Sequence, residues 1–200
     1  MILGIDVSEN NGTVDWPAVA NAGVKFAFIR CSYGKSSEDE CFRRNVKAAH
    51  AVGIKCGAYV YSYALTPEAA VIEAQFAKQV IDDAGCLLEL PVMLDMEDAD
   101  GYKRRHGFDF SADNITAICR AFLAEIRPLD CGVYASESWF DDYIDWQGLG
   151  CAVWNAAWIN GTRYGLPDSA ANDGIGGYCW QFTDKLVISG QNFDGNVMYN

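Results

Sequence analysis

Apolar and polar positions in this chain follow two different periods. Short, largely apolar runs rich in β-branched and aromatic residues read as strands near Ile2–Val7, Lys25–Cys31, Lys55–Ser62, Pro91–Glu97 and Cys131–Ala135. Between them, apolar residues recur at helical spacing over Asp15–Ala22, Glu38–Ala51, Pro67–Ala84 and Ser111–Ile126. The third of these helices carries the clearest punctuation: Thr66 stands at the N-cap, Pro67 at the first helical position and Gly85 just past the last turn. Strands that alternate strictly with helices must run parallel and be joined by crossovers, which predicts an α/β sheet or barrel. After Trp139 the pattern changes. Short aromatic strands are expected near Ala152–Trp158, Tyr178–Thr183 and Phe193–Met198, with Gly-rich loops and no long helix between them. Five β/α units followed by three bare strands predict an irregular TIM-like barrel whose last quarter lacks a helical coat. With 200 residues and no internal linker or repeat, the whole chain, 1–200, is expected to be a single domain.

The same alternation locates candidate chemistry. Along Pro91–Glu97 side chains alternate across the strand, so Met93, Asp95 and Glu97 share one face and Val92, Leu94 and Met96 the other. Two acids then point the same way at the C-terminal end of a parallel strand, where barrel enzymes place their active sites. Same-face neighbours lie about 7 Å apart along the backbone. Two carboxylates at that spacing raise each other's proton affinity and can leave one protonated near neutral pH, as general acid catalysis at a glycosidic oxygen requires. The competing reading is an acid pair that only bonds nearby amides or a basic residue. The first strand repeats the arrangement with Gly4, Asp6 and Ser8 on one face, and Asp194 in Asn192–Asn196 offers a fourth acid. Clustered anions destabilise a fold and usually persist where function needs them. Aromatic residues gather at the same end: Tyr59, Tyr61 and Tyr63 share a face, and Tyr134, Trp139, Trp154, Trp158 and Trp180 follow. Flat rings stack on sugars, and a phenol also donates a hydrogen bond. About half of them are expected in the barrel core, Tyr59 and Trp180 first.

Charge and cysteine usage narrow the classes. A net charge of −12 and a pI near 4.4 argue against nucleic acid and against anionic membrane surfaces. The same charge would repel any anionic polymer, so binding to one would have to rest on stacking and hydrogen bonds or on screening by salt. No apolar run approaches the ~20 residues that span a bilayer. Met1–Ser8 lacks the basic region and cleavage site of a signal peptide. Eight cysteines could form a disulfide framework, but Cys31, Cys56, Cys131, Cys151 and Cys179 fall in or beside apolar strand-like runs, which favours buried free thiols. Neither Cys/His zinc spacing nor a calcium-loop ladder occurs, so no metal or other cofactor is expected. His50 and His106 have no suitable partners nearby in sequence and receive no catalytic role.

The series Gly4-Ile-Asp-Val-Ser8 with Asp15-Trp16, Gly23–Arg30, Gly57-Ala-Tyr-Val-Tyr61, Leu94-Asp-Met-Glu97, Trp154-Asn-Ala-Ala-Trp158, Trp180-Gln-Phe-Thr183 and Phe193-Asp-Gly-Asn196 resembles glycoside hydrolase family 25, the Chalaropsis-type lysozymes. The resemblance covers nearly the whole chain in order. It implies a flattened (β/α)5β3 barrel that cuts peptidoglycan between N-acetylmuramic acid and N-acetylglucosamine with retention of configuration. By position, it makes Glu97 the general acid/base and Asp95 the nucleophile or the stabiliser of the substrate's acetamido group. Asp6 and Asp194 become the further acids that tune the pair, and Tyr61, Trp154 and Trp158 contact sugar; Tyr63 and Tyr134 join them as candidate sugar contacts. The implied partner is the glycan strand of peptidoglycan, met by a monomer outside the cell, either after lysis or phage-type delivery or as a mature fragment. Two rivals stay open. A chitinase-like hydrolase would also end a strand in Asp-x-Glu, though Val92 and Leu94 stand where its further acids belong. A non-catalytic glycan-binding barrel would not need both Asp95 and Glu97.

Overall fold

A computed structural model describes residues 1–159, 165–167 and 172–199. The elements are β1 (Ile2–Val7), α1 (Trp16–Asn21), β2 (Phe26–Tyr33), β3 (Ser37–Glu38), α2 (Phe42–Ala51), β4 (Lys55–Tyr61), α3 (Pro67–Ala84), β5 (Val92–Asp95) and α4 (Tyr102–Arg105). After these come α5 (Ala112–Ile126), β6 (Cys131–Ser136), α6 (Glu137–Asp142), α7 (Trp146–Leu149), β7 (Ala152–Ala156), β8 (Cys179–Ile188) and β9 (Gln191–Met198). The strand order is β1-β9-β8-β7-β6-β5-β4-β2-β3, and β1 also pairs with β2, so eight strands close into a barrel and β3 hangs from β2 as an antiparallel edge. All neighbours from β1 through β2 and β4 to β8 are parallel. β9 alone is antiparallel to both of its barrel partners.

This is the barrel of five β/α units and three bare strands expected from the sequence. The expected absence of a long helix between β7 and β8 falls partly on residues 160–164 and 168–171, outside the described residues. Local signals explain most element ends. Thr66 Oγ1 accepts from the Ala69 amide at 3.3 Å to start α3, and Gly85 ends it with φ 58°, a left-handed conformation that suits glycine. Ser111 caps α5 by accepting from the Asn114 amide. Three boundaries differ from expectation. α2 begins at Phe42 rather than Glu38, because Ser37 and Glu38 pair with β2 instead. β8 runs on to Ile188 because it continues as a hairpin with β9. β5 stops at Asp95, which leaves Glu97 just past the strand.

Two apolar cores hold the barrel. Outside the strands, Ile5, Val7, Ile29, Val60, Leu94 and Val133 pack beneath the helices with Phe42, Ala74, Ile118 and Phe122. Inside, Phe26, Phe28, Tyr59, Met93, Tyr134 and Trp154 fill the barrel. Phe28 stacks on Trp154 with ring centroids 4.5 Å apart. Gly4 faces Phe26 across the β1–β2 pair, and a Cβ there would sit 2.2 Å from the Phe26 ring, so only glycine allows the interior to close at that level. The filled interior is a floor on which polar residues at the strand C-terminal ends rest. All eight cysteines are free thiols; Cys31, Cys56, Cys119 and Cys179 are buried and the other four half-buried.

Candidate active site

The C-terminal ends of the parallel strands surround a cavity of about 280 Å³ lined by Asp6, Asp95, Glu97 and Asp194, with Tyr59, Tyr61, Tyr134 and Trp154 among its walls. All four acids singled out in the sequence therefore meet at one mouth. Asp6 and Asp194 are direct cross-strand partners on β1 and β9. Like charges placed opposite one another are unfavourable unless something compensates them. Here Asp6 Oδ2 accepts from Gln181 Nε2 at 2.9 Å and from Asn196 Nδ2 at 2.8 Å. The two carboxyls also hydrogen-bond each other, which requires a proton on one of them. Burial, then the Asp194 charge, raises the proton affinity of Asp6 well above the ordinary carboxylate range. Burial, with the charge of Asp184, pushes Asp194 up to about 6.

Asp95 closes β5 and is only 5% exposed, and its Oδ1 is buried without a hydrogen-bond partner. A buried carboxylate oxygen left unpartnered is costly. Its proton affinity is raised by burial and next by the charge of Glu97. Glu97 is half-buried and pushed up to about 7 by burial, with Asp194, Asp100 and Asp98 adding to the shift against the opposing charge of Lys103. The Asp95–Glu97 pair thus retains a proton at neutral pH chiefly because both carboxyls are buried, with the repulsion expected from their spacing second in rank at Asp95. Glu97 reaches the cavity from beyond the strand end rather than from the strand itself.

The aromatic candidates separate by depth. Trp154 is 1% exposed, and its Nε1 donates to Asn196 Oδ1 at 2.8 Å, so it forms the floor. Tyr134 is buried and donates to Gln181 Oε1 at 3.0 Å. Trp158 is 57% exposed, its ring tethered by an Nε1 bond to the same Gln181 oxygen at 2.9 Å. Tyr61 borders the cavity, while Tyr63 lies outside it in an adjoining groove with Tyr33 and Asp100, where its hydroxyl donates to Asp100 at 3.0 Å. Tyr59 and Trp180, expected in the core, are both buried. His50 pairs with Glu89 and His106 stacks on Tyr102, both away from the cavity.

Flanking depressions extend the cavity on both sides. One shares Asn10, Arg30 and Tyr61 with it and continues to Tyr33, Tyr63 and Asp100. The other shares Glu97 and Tyr134 and continues to Ser136, Glu137 and Trp158. The acids therefore sit midway along a groove.

Sequence reasoning missed four contributors. Gln181 and Asn196 hold Asp6, yet amides in aromatic or Gly-rich strands give no signal beyond their place on the same face. Arg30 lines the cavity but is held by Asp39 at 2.9 Å and Glu9 at 3.1 Å. Lys103 lies in a polar run that reads as solvated loop, yet it is buried, with Nζ donating to the carbonyls of Ser62 and, at 2.8 Å, Glu97.

Comparison with known proteins bears on the family and the fold. Lysozyme M1 of Streptomyces globisporus is 28% identical over 201 residues, covering 96% of this chain and 65% of the relative. The autolytic lysozyme of Clostridium acetobutylicum is 25% identical, covering 94% of this chain and 57% of the relative. The chain thus spans less than two thirds of the length of either. Among solved structures, the modular autolysin LytC of Streptococcus pneumoniae, in complex with a synthetic peptidoglycan ligand, superposes with a TM-score of 0.81 at 23% identity over 99% of this chain and 46% of LytC. The bacterial lysozyme of Streptomyces coelicolor gives 0.76 at 24% identity, over all of this chain and 92% of that protein. These two likenesses concern the fold. The model of glycosyl hydrolases family 25 matches residues 5–191, a span that takes in Asp6, Asp95, Glu97 and the barrel from within β1 to the start of β9, and the chain belongs to that family.

Proposed function

We propose that this chain is a muramidase that hydrolyses the β-1,4 bond between N-acetylmuramic acid and N-acetylglucosamine in peptidoglycan, with Glu97 as general acid/base. The observation that carries this reading is a carboxyl that keeps its proton up to about 7 beside a buried, unpartnered carboxylate oxygen, midway along an open groove. Glycosidic cleavage needs one acid that is still protonated at working pH and a second carboxylate to stabilise the cationic sugar. A groove continuing on both sides of the acids suits an internal bond of a polymer better than a chain end. The substrate class follows that of the lysozyme relatives and of LytC, whose complex holds a peptidoglycan ligand.

In the proposed reaction, Glu97 gives its proton to the leaving oxygen as the C1–O bond breaks. The substrate's own acetamido oxygen closes on C1 to form an oxazolinium ion. Asp95, through its free oxygen, orients the acetamido N–H and balances the charge that develops there. Water, deprotonated by the Glu97 carboxylate, then attacks C1, opens the ring and restores the original configuration. The Asp6–Asp194 pair keeps the far wall of the cavity polar, and Trp158 offers a tethered, exposed ring to a sugar face.

Glu97→Gln replaces the acid by an amide of the same shape. It should abolish clearing of purified cell walls while circular dichroism stays that of the wild type. Mass analysis of wild-type digests should show fragments ending in reducing N-acetylmuramic acid. Near-normal clearing by the variant would refute the assignment of Glu97, and release of fragments from chitin in preference to peptidoglycan would refute the substrate class.

A further inference from the structure

We propose that Lys103 is the positioning residue of the Asp95–Glu97 pair, a buried cation that ties together the backbone segments behind both acids and sets a positive charge beside them. The proposal rests on reading Asp95 and Glu97 as the working pair. Lys103 is 1% exposed, and its ammonium bonds the carbonyls of Ser62, one residue past β4, and of Glu97, two residues past β5. One side chain thus ties together the two chain segments that leave the neighbouring strands of the site. A neutral side chain would fill the same space without the cost of burying a charge, so packing alone does not account for a lysine here.

The charges around it supply the reason. Asp95 on β5, Glu73 on α3, Asp98 and Glu97 all face the ammonium, Asp95 most strongly. Among the described residues none of these carboxylates reaches ion-pair distance of Nζ, so the charge acts through space rather than being consumed in a close pair. Asp95 in turn faces Glu97, Lys103, Asp6 and Arg30, and Glu97 faces Lys103, Asp194, Asp100 and Asp98. Arg30, the other cation, is bound to Glu9 and Asp39. Lys103 is therefore the positive charge that bears on both acids. It opposes, at both acids, the protonation that burial favours.

The test uses the full chain with Lys103→Met, which keeps an unbranched apolar stem and removes the charge, and with Glu73→Gln, which removes an acid facing the same ammonium. Two readouts are taken: the pH dependence of kcat/KM for wall clearance, and the titration of Glu97 followed by NMR of 13C-labelled carboxyls. Lys103→Met should move both limbs of the rate profile, and the Glu97 midpoint, to higher pH by roughly one unit, while Glu73→Gln moves them to lower pH. A lysine with only a structural role would lower activity by the same factor at every pH and leave limbs and midpoint in place, which overturns the proposal. Should Lys103→Met fail to fold, Lys103→Gln, which can still donate to a carbonyl but carries no charge, decides: an upward shift of limbs and midpoint supports the proposal and no shift defeats it. If the wild type proved inert on cell walls, the muramidase reading would fall while the NMR titration still decided the role of Lys103.

Discussion

Glu97 illustrates how a residue trades stability for chemistry. Its proton is held up to about 7 in the folded chain against 4.5 for an ordinary glutamate, so the folded state binds that proton more tightly than the unfolded state does. The resulting stabilisation is complete below about pH 4.5 and is lost as pH rises through about 7. Asp194 acts in the same sense between 3.8 and about 6. At neutral pH and above, the ionised Glu97 thus costs on the order of 1–3 kcal/mol. Glu97→Gln, which stays neutral at every pH, should melt above the wild type at pH 8 and close to it at pH 4. Thermal denaturation at the two pH values checks this, and a difference that did not grow with pH would show that burial does not bear on Glu97 in this way. The acids were legible in the sequence because strand alternation and strand-end position are local properties. Lys103 was not: Tyr102-Lys-Arg-Arg105 looks like a solvated polar run, and only the approach of Ser62 from the neighbouring strand buries its second residue.

At the scale of elements, α4 has four residues, too few to be helical by its own propensity. Asp98 holds it, with Oδ1 accepting from the Lys103 amide at 2.7 Å and Oδ2 from the Arg104 amide at 3.2 Å. Asp98→Ala should therefore destabilise this turn by about 1 kcal/mol and lower activity several-fold, because the turn carries the lysine that braces Glu97. Hydrogen exchange should quicken at the amides of residues 102–106 and stay unchanged in the barrel strands; unaltered exchange across 102–106 would defeat the prediction. The long helices were legible because they carry their own caps and periodic faces. α4 and β3 were not, since each is too short to show a period of its own: α4 is held by Asp98 and by the buried Lys103 contacts, and β3 by its hairpin with β2.

For the molecule as a whole, the muramidase proposed above carries a net charge of −12 and would have to approach an anionic cell wall. Added salt shortens the reach of that repulsion from about 30 Å at 0.01 M to about 8 Å at 0.15 M. Stacking and hydrogen bonding in the groove are little affected. Wall binding and clearance should consequently improve between those two salt concentrations, chiefly through KM; turbidity assays across the range would show it, and a steady decline with salt would mean that attraction, not repulsion, governs the encounter. No helix among the described residues is long and apolar enough to cross a membrane.

The sequence by itself determined the order of elements, the parallel barrel, and the segments at or just past strand ends that carry Asp6, Asp95 and Glu97. Those features follow from side-chain periodicity and from caps that act over a few residues. Tertiary structure alone decided which oxygens are satisfied and which are not. Whether Asp95 keeps a free oxygen, whether Gln181 reaches Asp6 from 175 positions away, and whether a loop lysine becomes a buried cation all depend on closure of the barrel. Burial and through-space charge, which set the proton affinities of the site, arise only when distant segments share one low-dielectric cavity.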